Sequence, residues 1–186
     1  MSSIKEPQLA GGPTPPLRIP LRADVTLIPS LHGGGPAATP DPILREVALF
    51  QLIANHPDQQ RRGLRWDAEL QRVARLRCED MRLRRYINHV NPDGDGPNTI
   101  LRRNGVSVPA WYDTARDANN VESLRLGPDD PADAFAALLA SPHHAEHILG
   151  RGFFVGQTRM GIGAGVDWDD PPRQWIFCIL SIHGGD

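Results

Sequence analysis

Cysteine is almost missing from this chain, with two residues, Cys78 and Cys178, in 186. Two thiols cannot build the disulfide framework of a small secreted scaffold, nor a four-thiolate zinc site. They leave either one bridge or, as the more ordinary outcome, two buried thiols. Long apolar runs are missing too: none approaches the ~20 residues of a membrane span, and no charged-then-apolar leader opens the sequence. Neither charge is in excess. Twenty Lys and Arg against 22 Asp and Glu leave a net charge of -2, so whole-molecule electrostatics gives no reason to expect nucleic acid or an anionic membrane as partner.

Histidine, by contrast, is concentrated. Three of the seven histidines fall in Ser141-Pro142-His143-His144-Ala145-Glu146-His147-Ile148-Leu149-Gly150. Ser141 suits an N-cap, Pro142 the first helical position and Gly150 a left-handed stop, so the stretch reads as a helix of about two turns. His143 and His144 lie in its first turn, where the positive dipole end favours neutral imidazole, the form that binds metal or accepts a proton. His32, His56 and His183 stand in a linker, before a proline and at the end of the chain, and read as surface.

Residues 1–40 hold eight prolines and five glycines, a composition that cannot bury enough apolar area to offset its ordering entropy. They read as a tail or linker, with an alternating segment at 21–28 that suits an edge strand. Asp41-Pro42 opens a helix that must end before Pro57, and Asp67 caps a second, whose buried stripe is Leu70, Val73, Ala74, Cys78 and Met81. Arg72, Arg75, Arg82 and Arg85 lie mainly off that stripe and read as a solvated face, with a docking patch as the alternative. A turn-rich loop at 87–94 leads to a short helix near 98–104. Residues 106–129 read as loop with one short strand. Asp130-Pro131 starts a third helix that kinks into Ser141-Pro142. A hairpin ends the chain: Met160 to Trp168 alternates with Gly161, Gly163 and Gly165, whose bare face lets another element approach closely, and 174–182 returns as an apolar strand. The order points to α+β, with helices packed on a small antiparallel sheet.

Two constellations compete for the histidine helix. His143-x-x-Glu146-His147 has the spacing of an inverted zinc-peptidase motif, two histidines one turn apart with a glutamate to activate water. Its context is poor, since residues 151–186 contain no glutamate to act as third ligand. The other constellation spans the chain. Gly63-Leu64-Arg65-Trp66-Asp67-Ala68-Glu69-Leu70, Ala74 to Met81, His89-Val90-Asn91-Pro92-Asp93-Gly94, Asn120-Val121-Glu122-Ser123, Ser141-Pro142-His143-His144 and Met160 to Ala164 occur in order. They resemble "G-L-x-W-D-x-x-L", "A-x-x-H-A-x-D-M", "S-H-x-x-P-D-G", "G-E-N-I", "S-P-x-H-R-x-N-I-L" and "x-G-V-G-V" of the CAP superfamily (cysteine-rich secretory, antigen 5 and pathogenesis-related proteins, also called SCP-like), in its compact bacterial branch.

The resemblance implies a CAP (SCP-like) domain over residues 41–186, an α-β-α sandwich, and a cleft formed by His89, Glu122 and His144. The second family glutamate falls on Ser141, and the motif's arginine and asparagine fall on Ala145 and His147. The implied function is a binding module taking a divalent metal, a lipid-like molecule or a peptide. In that reading His89 and His144 are candidate ligands of a weakly held Zn²⁺, and Glu122 orients an imidazole. His143 should point away from the cleft, and His147 should lie on its own side of the helix. One alternative is a zinc-dependent hydrolase with Glu122 as catalytic base, and another is an interaction-only protein with an inert cleft. The family resemblance implies an extracytoplasmic or secreted site of action, against which the missing leader keeps the cytoplasm open. Oligomeric state stays open as well.

Overall fold

The computed structural model describes residues 41–128, 130–166 and 174–184. The tail, its strand at 21–28, His32, and Trp168 with the turn after it lie outside the described residues. Helix α1 is Pro42–Ala54 and α2 is Ala68–Leu83. Each starts as an aspartate cap should: Asp41 accepts from the Ile43 amide, and Asp67 from those of Glu69 and Leu70. Helix α3 (Pro97–Arg103), α4 (Pro131–Leu139) and α5 (Pro142–Leu149) all carry proline in the first turn. Only Ala140 and Ser141 separate α4 from α5.

Four strands, β1 (Arg65–Trp66), β2 (Glu122–Gly127), β3 (Arg159–Val166) and β4 (Trp175–Ile182), form one sheet in the order β1-β3-β4-β2. The sheet is antiparallel except at its two-residue edge, where β1 runs parallel to β3. Strand β4 is buried along its whole length, and its residues alternate between two cores. Ile176, Cys178 and Leu180 face α2 with Leu70, Val73 and Met81. Phe177 and Ile179 pack with Leu49 and Ile53 of α1, Leu138 of α4 and Ile148 of α5. Helices cover both faces, giving the α-β-α sandwich.

The bare glycine face of β3 lies under α2. A Cβ on Gly161 would come within 2.1 Å of the Gln71 amide nitrogen, and one on Gly163 within 2.5 Å of the Ala74 carbonyl carbon. One part of the arginine face differs from expectation. Arg75 is buried and grips Glu46 of α1, with Nη2 2.6 Å from Oε2. Strand β1 pairs only with Arg159 and Met160, and further along β3 the Glu46 carboxylate accepts the Ala164 amide at 3.0 Å. A buried carboxylate standing in for a missing strand needs a cation beside it, so Arg75 turns inward. Both cysteines are free and buried.

Candidate functional site

Glu122 opens β2 because Asn119 sets the turn before it. The Asn119 Oδ1 accepts from the amides of Val121 and Glu122, and its Nδ2 donates to the Glu122 carbonyl. The carboxylate is thereby turned into the α2 side of the sandwich, where its side chain is fully enclosed. Arg77 meets it there, donating from Nε to Oε2 at 2.8 Å and from Nη2 to Oε1 at 3.2 Å. The same guanidinium donates to the Tyr86 hydroxyl and to the carbonyls of Asn88 and His89. It therefore ties the 86–89 loop to the carboxylate and presents His89, whose Nδ1 lies 2.9 Å from Glu122 Oε1. The Cys178 thiol donates to Oε2 at 3.3 Å.

Burial alone would raise the Glu122 carboxyl, but the Arg77 charge and the hydrogen bonds from His89 and Arg77 outweigh it and hold the pKa at about 2. An ionised carboxylate only accepts, so His89 carries its proton on Nδ1 and directs Nε2 away from Glu122. Arg77 is not among the residues that sequence reasoning singles out, although a signal for it exists. It lies seven residues after Leu70 and four before Met81, on the buried stripe itself, at the position where the resembled helix has histidine. A charge on an apolar stripe calls for a buried counter-charge.

The second cluster centres on His147, which faces inward rather than keeping to a side of its own and is 3% exposed. Its Nδ1 lies 2.7 Å from Ser123 Oγ and its Nε2 2.6 Å from Ser181 Oγ. Ser181 donates to Gln157 Oε1, and Gln157 Nε2 donates to the Tyr112 hydroxyl and the Asn120 carbonyl. These directions fix the tautomer: Ser181 has spent its proton, so His147 donates from Nε2 and accepts the Ser123 hydroxyl at Nδ1. Burial first, then the charge of Arg61, then His144 and His89, hold His147 well below its ordinary pKa. Arg61 closes the C-terminus of α5, bonding the carbonyls of His147, Ile148 and Phe154. Tyr112 in turn lies 2.6 Å from His183 Nδ1. His183 is thus half-buried in an aromatic cluster rather than simply solvated, and His56 accepts the Asp58 amide and meets Phe135 edge-on.

The structure therefore joins Glu122 directly to His89. His144, half-buried on α5, and His89 both act electrostatically on His147, at the junction of the 86–89 loop, β2 and α5. His143 is exposed. It lines a cavity of about 20 Å³ with Asn119, Glu122, Ser123 and His147, room for one water-sized group.

The zinc implied by the resemblance can be tested against this donor set. Both oxygens of Glu122 are taken by Arg77, His89 and Cys178. Both nitrogens of His147 are bonded to serines, which removes it from a His143–His147 pair. Among the described residues no three His, Cys, Asp or Glu side chains gather as a metal group. Two imidazoles beside a guanidinium do not fit catalytic zinc, which has three protein ligands.

No family model matches the sequence, and no curated protein matches it. Two solved structures share the fold. An outer surface protein from Borrelia burgdorferi is similar at a TM-score of 0.54 and 17% identity, over 74% of this chain and 91% of that one. An extracellular protein containing an SCP domain, from Bacillus anthracis str. Ames, is similar at a TM-score of 0.54 and 20% identity, over 81% of this chain. This chain spans 45% of that protein. The likeness agrees with the sandwich and with an SCP-like fold.

Proposed function

We propose that this chain is a binding module of the CAP type that acts outside the cytoplasm, and not a hydrolase. The observation that carries the reading is the state of Glu122. A carboxyl held at about 2 by a buried guanidinium is a poor general base, since an effective one has a pKa near the working pH. Its role here is to fix His89 through Nδ1 and so to hold the 86–89 loop in place beside a peptide or lipid-like ligand. The extracytoplasmic part of the proposal is supported by the descriptions of the two structural neighbours, an outer surface protein and an extracellular protein. A screen of ester and peptide substrates with and without Zn²⁺ tests the first part. No turnover is expected, and metal-dependent turnover abolished by Glu122→Gln in a folded protein would overturn the proposal.

A second location for the ligand is favoured by a separate observation. Between α1 and α4 an open groove of about 590 Å³ is lined by Ala48, Leu52, Pro57, Pro131 and Phe135, with Gln51, Asn55, His56 and Asp130 at its polar positions. An apolar wall with a few polar groups suits a lipid-like chain. Binding of a fluorescent long-chain fatty acid separates the two places: loss in Leu52→Asp with retention in His89→Ala puts the ligand in the groove, and the converse puts it in the cleft.

A further inference from the structure

Trp111 is 56% exposed, the largest side chain among the exposed apolar residues of the described part of the chain. It is nonetheless held rigidly. Its ring meets Tyr112 at 4.8 Å, Phe153 at 5.7 Å and His183 at 4.7 Å, each edge-on. Those neighbours are fixed from below: the Tyr112 hydroxyl accepts from Gln157 Nε2 and from the His183 amide, and donates to His183 Nδ1. The buried chain from Ser123 through His147, Ser181 and Gln157 thus ends under an aromatic platform. Val155, 48% exposed, belongs to the 3-10 turn Gly152–Gly156 that carries Phe153. That turn is drawn tightly onto the platform, since a Cβ on Gly156 would come within 2.4 Å of the His183 ring.

The segment leading to Trp111 is Val108-Pro109-Ala110, with Ala110 exposed. Two arginines reach the chain before and after it. Arg72, exposed on α2, donates to the Asn104 carbonyl at 2.7 Å, and Arg102 of α3 reaches the carbonyls of Tyr112 and Asp113. The loop carries two acids, Asp113 and Asp117, and Asp113 Oδ1 accepts the Ala115 amide.

We propose that the Trp111 platform, with Val155 and the 108–110 segment, is a membrane-docking surface that seats in the headgroup region of a lipid bilayer. A rigid tryptophan standing out of a short apolar loop has the amphipathic ring that the interface selects, and an arginine collar meets lipid phosphates. The whole chain, with its net charge of -2, gains little long-range attraction, so insertion leads and the collar adds a local preference for anionic lipid.

The test is co-sedimentation of the full chain with vesicles of phosphatidylcholine alone and of phosphatidylcholine mixed with phosphatidylglycerol. Binding to both is expected, tighter to the mixture. Trp111→Ser should weaken it about tenfold or more on either vesicle, as loss of a large inserted apolar ring requires. Trp111→Phe should retain binding within about threefold, and Arg72→Gln should lose about fivefold on anionic vesicles only. Val155→Ser, which leaves the ring cluster intact, should weaken binding to both. A wild-type protein that stays in the supernatant, or binding unchanged by Trp111→Ser and Val155→Ser, overturns the proposal. So does a platform that captures a protein partner while failing to bind vesicles.

Discussion

Replacing Arg77 by leucine tests the central claim about the site, that its carboxylate is held by a strut rather than offered to chemistry. The guanidinium donates to both oxygens of Glu122, to Tyr86 and to the carbonyls of Asn88 and His89. Removing it leaves a fully enclosed carboxylate with His89 and a weak thiol donor. Breaking one partner of a buried pair costs about 3–5 kcal/mol. The ionisation of Glu122, set by burial, Arg77 and His89 together, runs in the same direction. A shift from 4.5 to about 2 corresponds to about 3 kcal/mol of preference for the ionised, folded form. Both point the same way, although the second also contains the burial of the carboxyl and its bond to His89; against a total stability of about 5–15 kcal/mol the variant should melt on the order of 10 °C lower. Urea unfolding of wild type, Arg77→Leu, Glu122→Leu and the double variant provides the assay. The double variant should be more stable than Arg77→Leu alone, because it buries no orphaned charge, and the coupling should be about 2 kcal/mol or more. Additive single losses, or an Arg77→Leu cost below about 1 kcal/mol, would refute the reasoning.

The same carboxyl predicts an acid limb. Its folded pKa is depressed, so its contribution is complete above about 4.5 and is lost as pH falls toward about 2; Glu122→Gln should flatten unfolding free energy over that window. His147 acts at milder pH. It is held well below 6.5 in the fold, so only the unfolded chain takes up its proton, and stability should decline as pH drops below about 6.5, by at most about 1.4 kcal/mol per unit. A slope unchanged in His147→Gln would show that the buried imidazole is not the cause. Gly163→Ala should cost about 2 kcal/mol or more, since its Cβ lands 2.5 Å from the α2 backbone, and a melt indistinguishable from wild type would mean that α2 yields. Calorimetric titration with Zn²⁺ should find no site of sub-micromolar affinity; a tight one lost in His89→Ala would restore the metal reading.

Much of the frame was legible because the signals were local. Asp-Pro pairs announced α1 and α4 with their caps, Ser-Pro announced the start of α5 although the Ser141 side chain makes no capping bond, and the glycines of β3 announced the close approach of another element, which is α2. The site was less legible because its partners are distant in sequence and its polarity is buried. Arg75 looked like part of a wetted face until the fold supplied Glu46, and Arg77 drew no attention until it supplied Glu122. His147 is enclosed by serines from β2 and β4, which no periodicity within 142–149 can reveal.

One change of residue type, beside those at Ser141, Ala145 and His147, alters the charge of the cleft relative to the pattern it resembles. Where the resembled helix has histidine, this chain has Arg77, and a permanent cation there has three consequences. It neutralises Glu122, and so frees the carboxylate from any need of a metal to be tolerated in the core. It immobilises the 86–89 loop through two carbonyls, so His89 is preset rather than recruited by a ligand. It also adds a permanent positive charge beside His89 and Glu122, which disfavours a second cation at either group. A histidine could accommodate a metal by staying neutral, whereas a guanidinium cannot shed its proton. Arg77→His is therefore the informative reversal: it should release Glu122 toward ordinary carboxyl behaviour and raise Zn²⁺ affinity while lowering stability. A variant that stays as stable as wild type and as indifferent to zinc would show that the cleft is closed by something other than its arginine.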